Sequence, residues 1–244
     1  MYLRPELRDA LARFWDIVGR FAPDAPSQLS VTDDPWTIWQ SPDLWLSQTC
    51  GLPYRTRLHD AVSLVGTPDY GLDGCPPGYY RSVFVSHCDD ARRRIADFRA
   101  APLAYNEPLS QSGWGAPFFH ARKHGFAFDN LIRTGAHIAS ARAVAEGQAD
   151  LAAIDAQSWR LMQRYDSWTT QLRVVDYTDP TPGLPLITAQ HAHVPRIAEA
   201  VENAIAALTL SDRDALGFKG LVRIPQEAYM ALPIPEKPDH KPRK

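Results

Sequence analysis

Between Tyr80 and Tyr177, short apolar runs alternate with segments of helical periodicity, and this alternation restricts the chain to an α/β fold. The run Tyr80–Val85 leads to a helix at Ala91–Phe98, a strand at Leu103–Tyr105, a helix from Ser112 and a strand at Phe126–Ile132. A helix at His137–Glu146, a strand at Leu151–Ile154, a helix at Gln157–Tyr165 and a strand at Leu172–Tyr177 follow. Crossovers of this length return each strand in the same direction, so a largely parallel sheet is expected. A block bracketed by strands reads as an inserted lobe. The expected division is residues 1–82 with 178–244 as a discontinuous first lobe, and residues 83–177 as the second. Two crossing strands would then act as a hinge, and the crevice between lobes would take a small ligand.

The flanking regions supply the first lobe. Leu7, Leu11, Phe14, Trp15 and Val18 recur at helical spacing within Pro5–Phe21, with Pro5 suited to a first turn. Strands are expected at Leu44–Ser47, Ala61–Val65 and Leu184–Thr188, and helices at Val194–Leu208, Asp212–Leu216 and Gln226–Ala231. The end, 233–244, is proline-rich and basic; lacking interleaved aromatics, it reads as a solvated tail and not a nucleic-acid patch.

Charge excludes several function classes. The 26 basic and 28 acidic residues nearly cancel, so no broad field gathers nucleic acid or an anionic membrane, and an anion site must be local. No run approaches the roughly 20 apolar residues of a membrane-spanning helix. The start, Met-Tyr-Leu-Arg-Pro-Glu, leads into an amphipathic stretch, so no signal peptide is expected and the chain as written would be cytoplasmic. Cys50, Cys75 and Cys88 lack zinc-site spacing; a Cys50–Cys75 bridge and buried free thiols are both open. No cofactor and no metal are expected.

Several segments could hold an anion. In Asn106-Glu-Pro-Leu-Ser-Gln-Ser-Gly113 a strand ends and hydroxyl residues stand where a helix begins. Free amides and the positive end of the helix dipole favour negative charge there, and Ser110 and Ser112 add neutral donors. Serine at such a position also simply caps a helix. Thr134-Gly-Ala-His137 repeats the theme with an imidazole at a helix start. Asp155 follows the strand Leu151–Ile154, where ligands of open sheets collect, or else caps the next helix. Gln48 and Thr49 also follow a strand, and Tyr80 offers a phenol on a crossing strand.

These segments, with Leu46-Ser-Gln-Thr-Cys-Gly, Val65-Gly-Thr-Pro-Asp-Tyr, Tyr80-Arg-Ser and Gly147-Gln-Ala-Asp-Leu-Ala-Ala-Ile-Asp155, resemble in order and spacing the signatures of phosphate/phosphonate-type substrate-binding proteins of ABC transporters. The resemblance runs from Met1 to about Thr188. It implies a two-lobed type II periplasmic-binding-protein fold with a ligand cleft between the lobes, a small oxyanion ligand (phosphate, phosphite or phosphonate), an ABC permease as partner, a periplasmic location, a monomer and no catalysis. It places the phosphorus oxygens on Ser110, Gln111 and Ser112, with His137, Tyr80 and Asp155 nearby and Tyr2 near the cleft. Gln111 stands where the phosphonate binders have Thr. A carboxylate at Asp155 further implies a ligand that carries a P–OH or an amine, against which sulfate is at a disadvantage.

Three alternatives stand beside this reading: an enzyme on the same fold, similar to those that make thiamine pyrimidine, using Cys50, His59 and His137; a metal-binding protein using His191 and His193 with His87 and Cys88; and a cytosolic ligand sensor. The first lacks any local nucleophile signature and the second a completing ligand cluster.

Overall fold

The computed structural model describes residues 2–32 and 34–239. Two compact units result: one contains the chain up to Tyr79 together with Pro182–Leu232, the other Tyr80–Thr181 together with the segment from Pro233. The chain crosses between them in the short strands Tyr79–Tyr80 and Thr181–Pro182. The expected boundaries, 82/83 and 177/178, thus lie a few residues inside the observed ones.

The first unit is built on a four-stranded sheet in the order Ser47–Gln48, Leu186–Thr188, Ser63–Asp69, Gly220–Val222, with every pair antiparallel. Helix Arg8–Phe21 buries Phe14, Trp15 and Val18 of the expected stripe, with Ala10 buried and Leu11 only half-buried, and packs on helix Val194–Ala207. The strand expected at Leu44–Ser47 is only Ser47–Gln48; Leu44 and Trp45 are buried as loop residues. Tyr229 closes this core. Its hydroxyl donates to the Gly183 carbonyl at 3.0 Å and accepts from Thr67 Oγ1 at 2.6 Å, and burial pushes the phenol well above its ordinary pKa. Tyr229→Phe leaves two buried groups without that partner and is expected to lower stability by about 1–2 kcal/mol in urea unfolding.

The second unit carries a five-stranded sheet in the order Leu131–Arg133, Leu103–Tyr105, Leu151–Asp155, Ser82–His87, Leu172–Tyr177. Four of the five strands run in one direction, and Ser82–His87 alone runs antiparallel, to both its neighbours. The expected shared direction holds for four strands and fails for the entering strand Ser82–His87. A chain that enters a unit on one strand and must leave where it came in has to depart on a strand of opposite direction. Both sheet faces are covered, and the period-two alternation divides the residues between them. Val83, Val85, Ala152 and Ile154 pack with Ala141, Val144, Trp159 and Met162, whereas Phe84, Leu151 and Ala153 pack with Ile95, Phe98, Ala121 and Phe128.

Three further expectations are corrected. The helix at Ala91–Phe98 is a single 3-10 turn, Ile95–Phe98, because Arg92 is anchored by Asp90 and Asp150 at 2.6 and 2.7 Å, which holds the preceding chain in a non-helical path. The strand at Phe126–Ile132 is Leu131–Arg133; the aromatic residues before it pack on the core from a connecting segment. The segment from Pro233 belongs to the second unit: Trp114 Nε1 donates to the Glu236 carbonyl at 2.8 Å and Arg122 pairs with the Glu236 carboxylate at 2.5 Å. All three cysteines are free thiols, of which only Cys50 is buried. Among the described residues no helix is long and apolar enough to cross a membrane.

Candidate functional site

In the second unit, the hydroxyl-rich turn, the start of a helix and the end of a strand converge where Leu103–Tyr105 and Leu151–Asp155 finish. Ser110 is the extended residue before the turn, and its Oγ accepts from the Gly113 amide at 2.9 Å. The turn Gln111–Gly115 is wound wider than an α-helix: the Ala116 amide reaches back five residues to the Gln111 carbonyl. An α-helix, Ala116–Lys123, then continues. Proline explains what happens to the next carbonyl. In this wide winding Ser112 C=O would be matched with residue 117, but Pro117 has no N–H to give. The Ser82 hydroxyl donates to Ser112 C=O instead, at 2.7 Å. Ser82 is itself locked to Thr178, whose Oγ1 accepts the Ser82 amide at 2.9 Å, and lies opposite Asp155 in the strand register.

The side chain of Ser112 is held from the other direction. His137 is the first residue of helix His137–Ala145, and its Nε2 lies 3.0 Å from Ser112 Oγ. The helix start is positioned by Thr134, whose amide and hydroxyl both donate to the Tyr105 carbonyl, and by the Gly135 amide, which donates to the Asn106 carbonyl. Burial lowers the His137 pKa to about 4, with the Ala153 backbone acting in the opposite sense. The ring is therefore neutral at neutral pH and carries one proton. When Nε2–H donates to Ser112 Oγ, the Ser112 hydroxyl hydrogen is left for another acceptor.

Ser110, Gln111, Ser112, Tyr80 and Asp155 are all buried. Asp155 does what the simpler reading required, since Oδ1 accepts from the Ser158 amide at 2.8 Å and caps helix Ala156–Tyr165. The structure thus gathers Ser110, Gln111, Ser112, His137 and Asp155, with Tyr80 two residues from Ser82.

Gln48, Thr49 and Tyr2 belong to the first unit. Both donors of the Gln48 amide are engaged, by Tyr70 OH at 3.2 Å and by the Leu184 carbonyl at 3.1 Å. Its remaining oxygen is an acceptor, which an anion does not want. Tyr2 meets Tyr70 edge-on, with ring centroids 5.2 Å apart. Thr49 is fully buried, its amide donating to the Pro185 carbonyl. The residues of the alternative readings do not assemble within one unit: Cys50 and His59 lie in the first and His137 in the second, while His191 and His193 lie in the first and His87 and Cys88 in the second.

Sequence reasoning passed over three residues of this constellation. Ser82 stood in the Tyr80-Arg-Ser segment, but nothing local announces that its hydroxyl would complete a turn 30 residues away. Asn106 is the second; its Oδ1 is buried without a hydrogen-bond partner. Gly113 is the third, pressed against that same oxygen.

A family model described as "ABC transporter, phosphonate, periplasmic substrate-binding protein" matches residues 46–229. Among curated proteins, none matches the chain by sequence. Among solved structures, the chain is similar to PhnD1 from Prochlorococcus marinus in complex with methylphosphonate, at 15% identity and TM-score 0.73, covering 93% of this chain and 90% of that one. A binding protein component of an ABC phosphonate transporter from Pseudomonas aeruginosa aligns at 16% identity and TM-score 0.68, over 91% of this chain and 78% of that one. The periplasmic aliphatic sulphonate binding protein SsuA from Escherichia coli aligns at 16% identity and TM-score 0.59, over 91% and 84%.

Proposed function

We propose, for a chain that belongs to the periplasmic substrate-binding proteins of ABC phosphonate transporters and has the type II periplasmic-binding-protein fold, that the turn Ser110–Ser112 and His137 hold the oxygens of a small phosphorus oxyanion. The observation that carries this reading is Ser112: its carbonyl is engaged by Ser82 and its Oγ is held 3.0 Å from His137 Nε2, so the fold fixes its hydroxyl at the turn, where it offers its hydrogen to a ligand when Nε2–H is the donor. Recognition relies on neutral donors and the amides of a helix start instead of a cation. The chain binds its ligand without altering it and hands it to an ABC permease from the periplasmic side.

Tyr80 and Asp155 complete the proposed set in this unit. A buried carboxylate next to an anion is favourable only when the ligand presents a hydrogen to it, so the preferred ligand carries a P–OH or an amine. Sulfate and methanesulfonate, fully deprotonated at neutral pH, are expected to bind far more weakly than phosphate and methylphosphonate.

Calorimetry against phosphate, phosphite, methylphosphonate, 2-aminoethylphosphonate, sulfate and methanesulfonate tests this. One phosphorus oxyanion is expected to bind tightly, and Ser112→Ala to weaken it about 10- to 100-fold, the worth of one hydrogen bond to a charged group. Asp155→Asn keeps a helix-capping side chain and is expected to admit sulfate. Unchanged affinity in Ser112→Ala would remove the turn from the site, and equal binding of sulfate and phosphate by the native protein would remove Asp155.

A further inference from the structure

We propose that His120, His124 and Asp176 of the second unit bind a divalent transition-metal ion, zinc foremost. His120 and His124 stand one turn apart at the end of helix Ala116–Lys123, so their side chains leave the same face, and their ring centroids are 4.5 Å apart. Asp176 comes from the strand Leu172–Tyr177, and its Oδ2 lies 3.1 Å from His120 Nε2. Each residue offers a ligand atom within 4.8 Å of the other two. Two ligands bound to a tetrahedral zinc at about 2.0–2.1 Å are about 3.3 Å apart. The His120–Asp176 pair already has that spacing, and the exposed His124 closes the set by side-chain rotation.

The surroundings favour a ligand over a purely structural role. Asp176 Oδ1 accepts from the Tyr177 amide at 2.8 Å, the type of outer hydrogen bond that orients a ligating carboxylate. His120 is buried against Phe84, with centroids 5.2 Å apart, and its Nδ1 has no hydrogen-bond partner. On binding, the metal takes the place of the Nε2 hydrogen, and the neutral ring carries its proton on Nδ1. Two imidazoles and one carboxylate, with water in the fourth position, suit zinc and its transition-metal neighbours better than magnesium or calcium.

The ion would tie the helix that follows the Gln111–Gly115 turn to the strand that leaves the sheet, within the second unit and independently of what the turn binds. The test uses the purified full chain, stripped with chelator, and zinc in competition with a metallochromic indicator, followed by the cobalt(II) spectrum. One equivalent of zinc is expected, with affinity reduced at least about 10-fold in His124→Ala and in Asp176→Asn, and a cobalt complex without a thiolate charge-transfer band. His124 is exposed, so its variant should melt like the native protein in chelator. His87, Cys88 and Asp89 form a second, mostly exposed group, and Cys88→Ser controls for it. Absence of stoichiometric binding, binding that survives both site variants, or binding lost in Cys88→Ser would each overturn the proposal.

Discussion

Gly113→Ala is expected to destabilise the protein by about 2–4 kcal/mol and to weaken phosphorus-oxyanion binding by at least about 100-fold. A Cβ built on Gly113 would lie 1.8 Å from Asn106 Oδ1, 2.9 Å from Asn106 Cγ and 3.2 Å from Ser110 Oγ. The first two separations are impossible, so Asn106 must move, and the third crowds the serine whose Oγ accepts the Gly113 amide. Overpacking of this kind costs about 1–3 kcal/mol, and a lost cap adds about 1 kcal/mol. The same displacement shifts Ser112, so the effect on binding should exceed that of Ser112→Ala. Gly19→Ala supplies the contrast: nothing lies within 4 Å of its added Cβ, and alanine in a helix should raise stability by about 0.4–1 kcal/mol without touching binding. Urea unfolding and calorimetry on both variants check this. A Gly113→Ala protein that binds normally would separate the turn from the ligand.

The second large effect is a loss of stability on acidification that depends on His137. Its pKa is about 4 in the folded protein and about 6.5 in an unfolded chain. The unfolded state therefore takes up a proton first as pH falls. Stability attributable to this ring is complete above about pH 6.5, declines between 6.5 and 4, and falls no further below that. The full difference corresponds to about 3 kcal/mol. His120 is shifted in the same direction by burial, so the native slope contains both rings. The difference between native protein and His137→Gln, measured by urea unfolding from pH 7.5 to 4.5, isolates the His137 share. Parallel curves for the two proteins would show that His137 is not held neutral.

The Ser110–Ser112 turn was readable because each of its signals is local: a strand end, small hydroxyl residues and a helix start occupy eight consecutive positions. The same holds for His137 at its helix start. Asp155 shows the limit of such signals. A carboxylate after a strand reads equally as ligand contact and as cap, and only the 2.8 Å bond from the Ser158 amide shows that the cap is made. Gln48 shows it more sharply, since an amide that looks free in the sequence has both donors engaged by Tyr70 and Leu184, the latter 136 positions away.

Sequence alone determined the α/β class, the bracketing of a second unit by two strands, and the positions of the hydroxyl turn and of His137, because periodicity and capping act over one or two turns of chain. Tertiary structure alone decided the mixed direction of the five-stranded sheet, the docking of Glu236 on Trp114 and Arg122, the capture of the Ser112 carbonyl by Ser82, the neutrality of His137 and the meeting of His120 and His124 with Asp176. Each of these joins residues 25 to 122 positions apart or depends on burial, and burial is a property of the packed molecule, not of any segment within it.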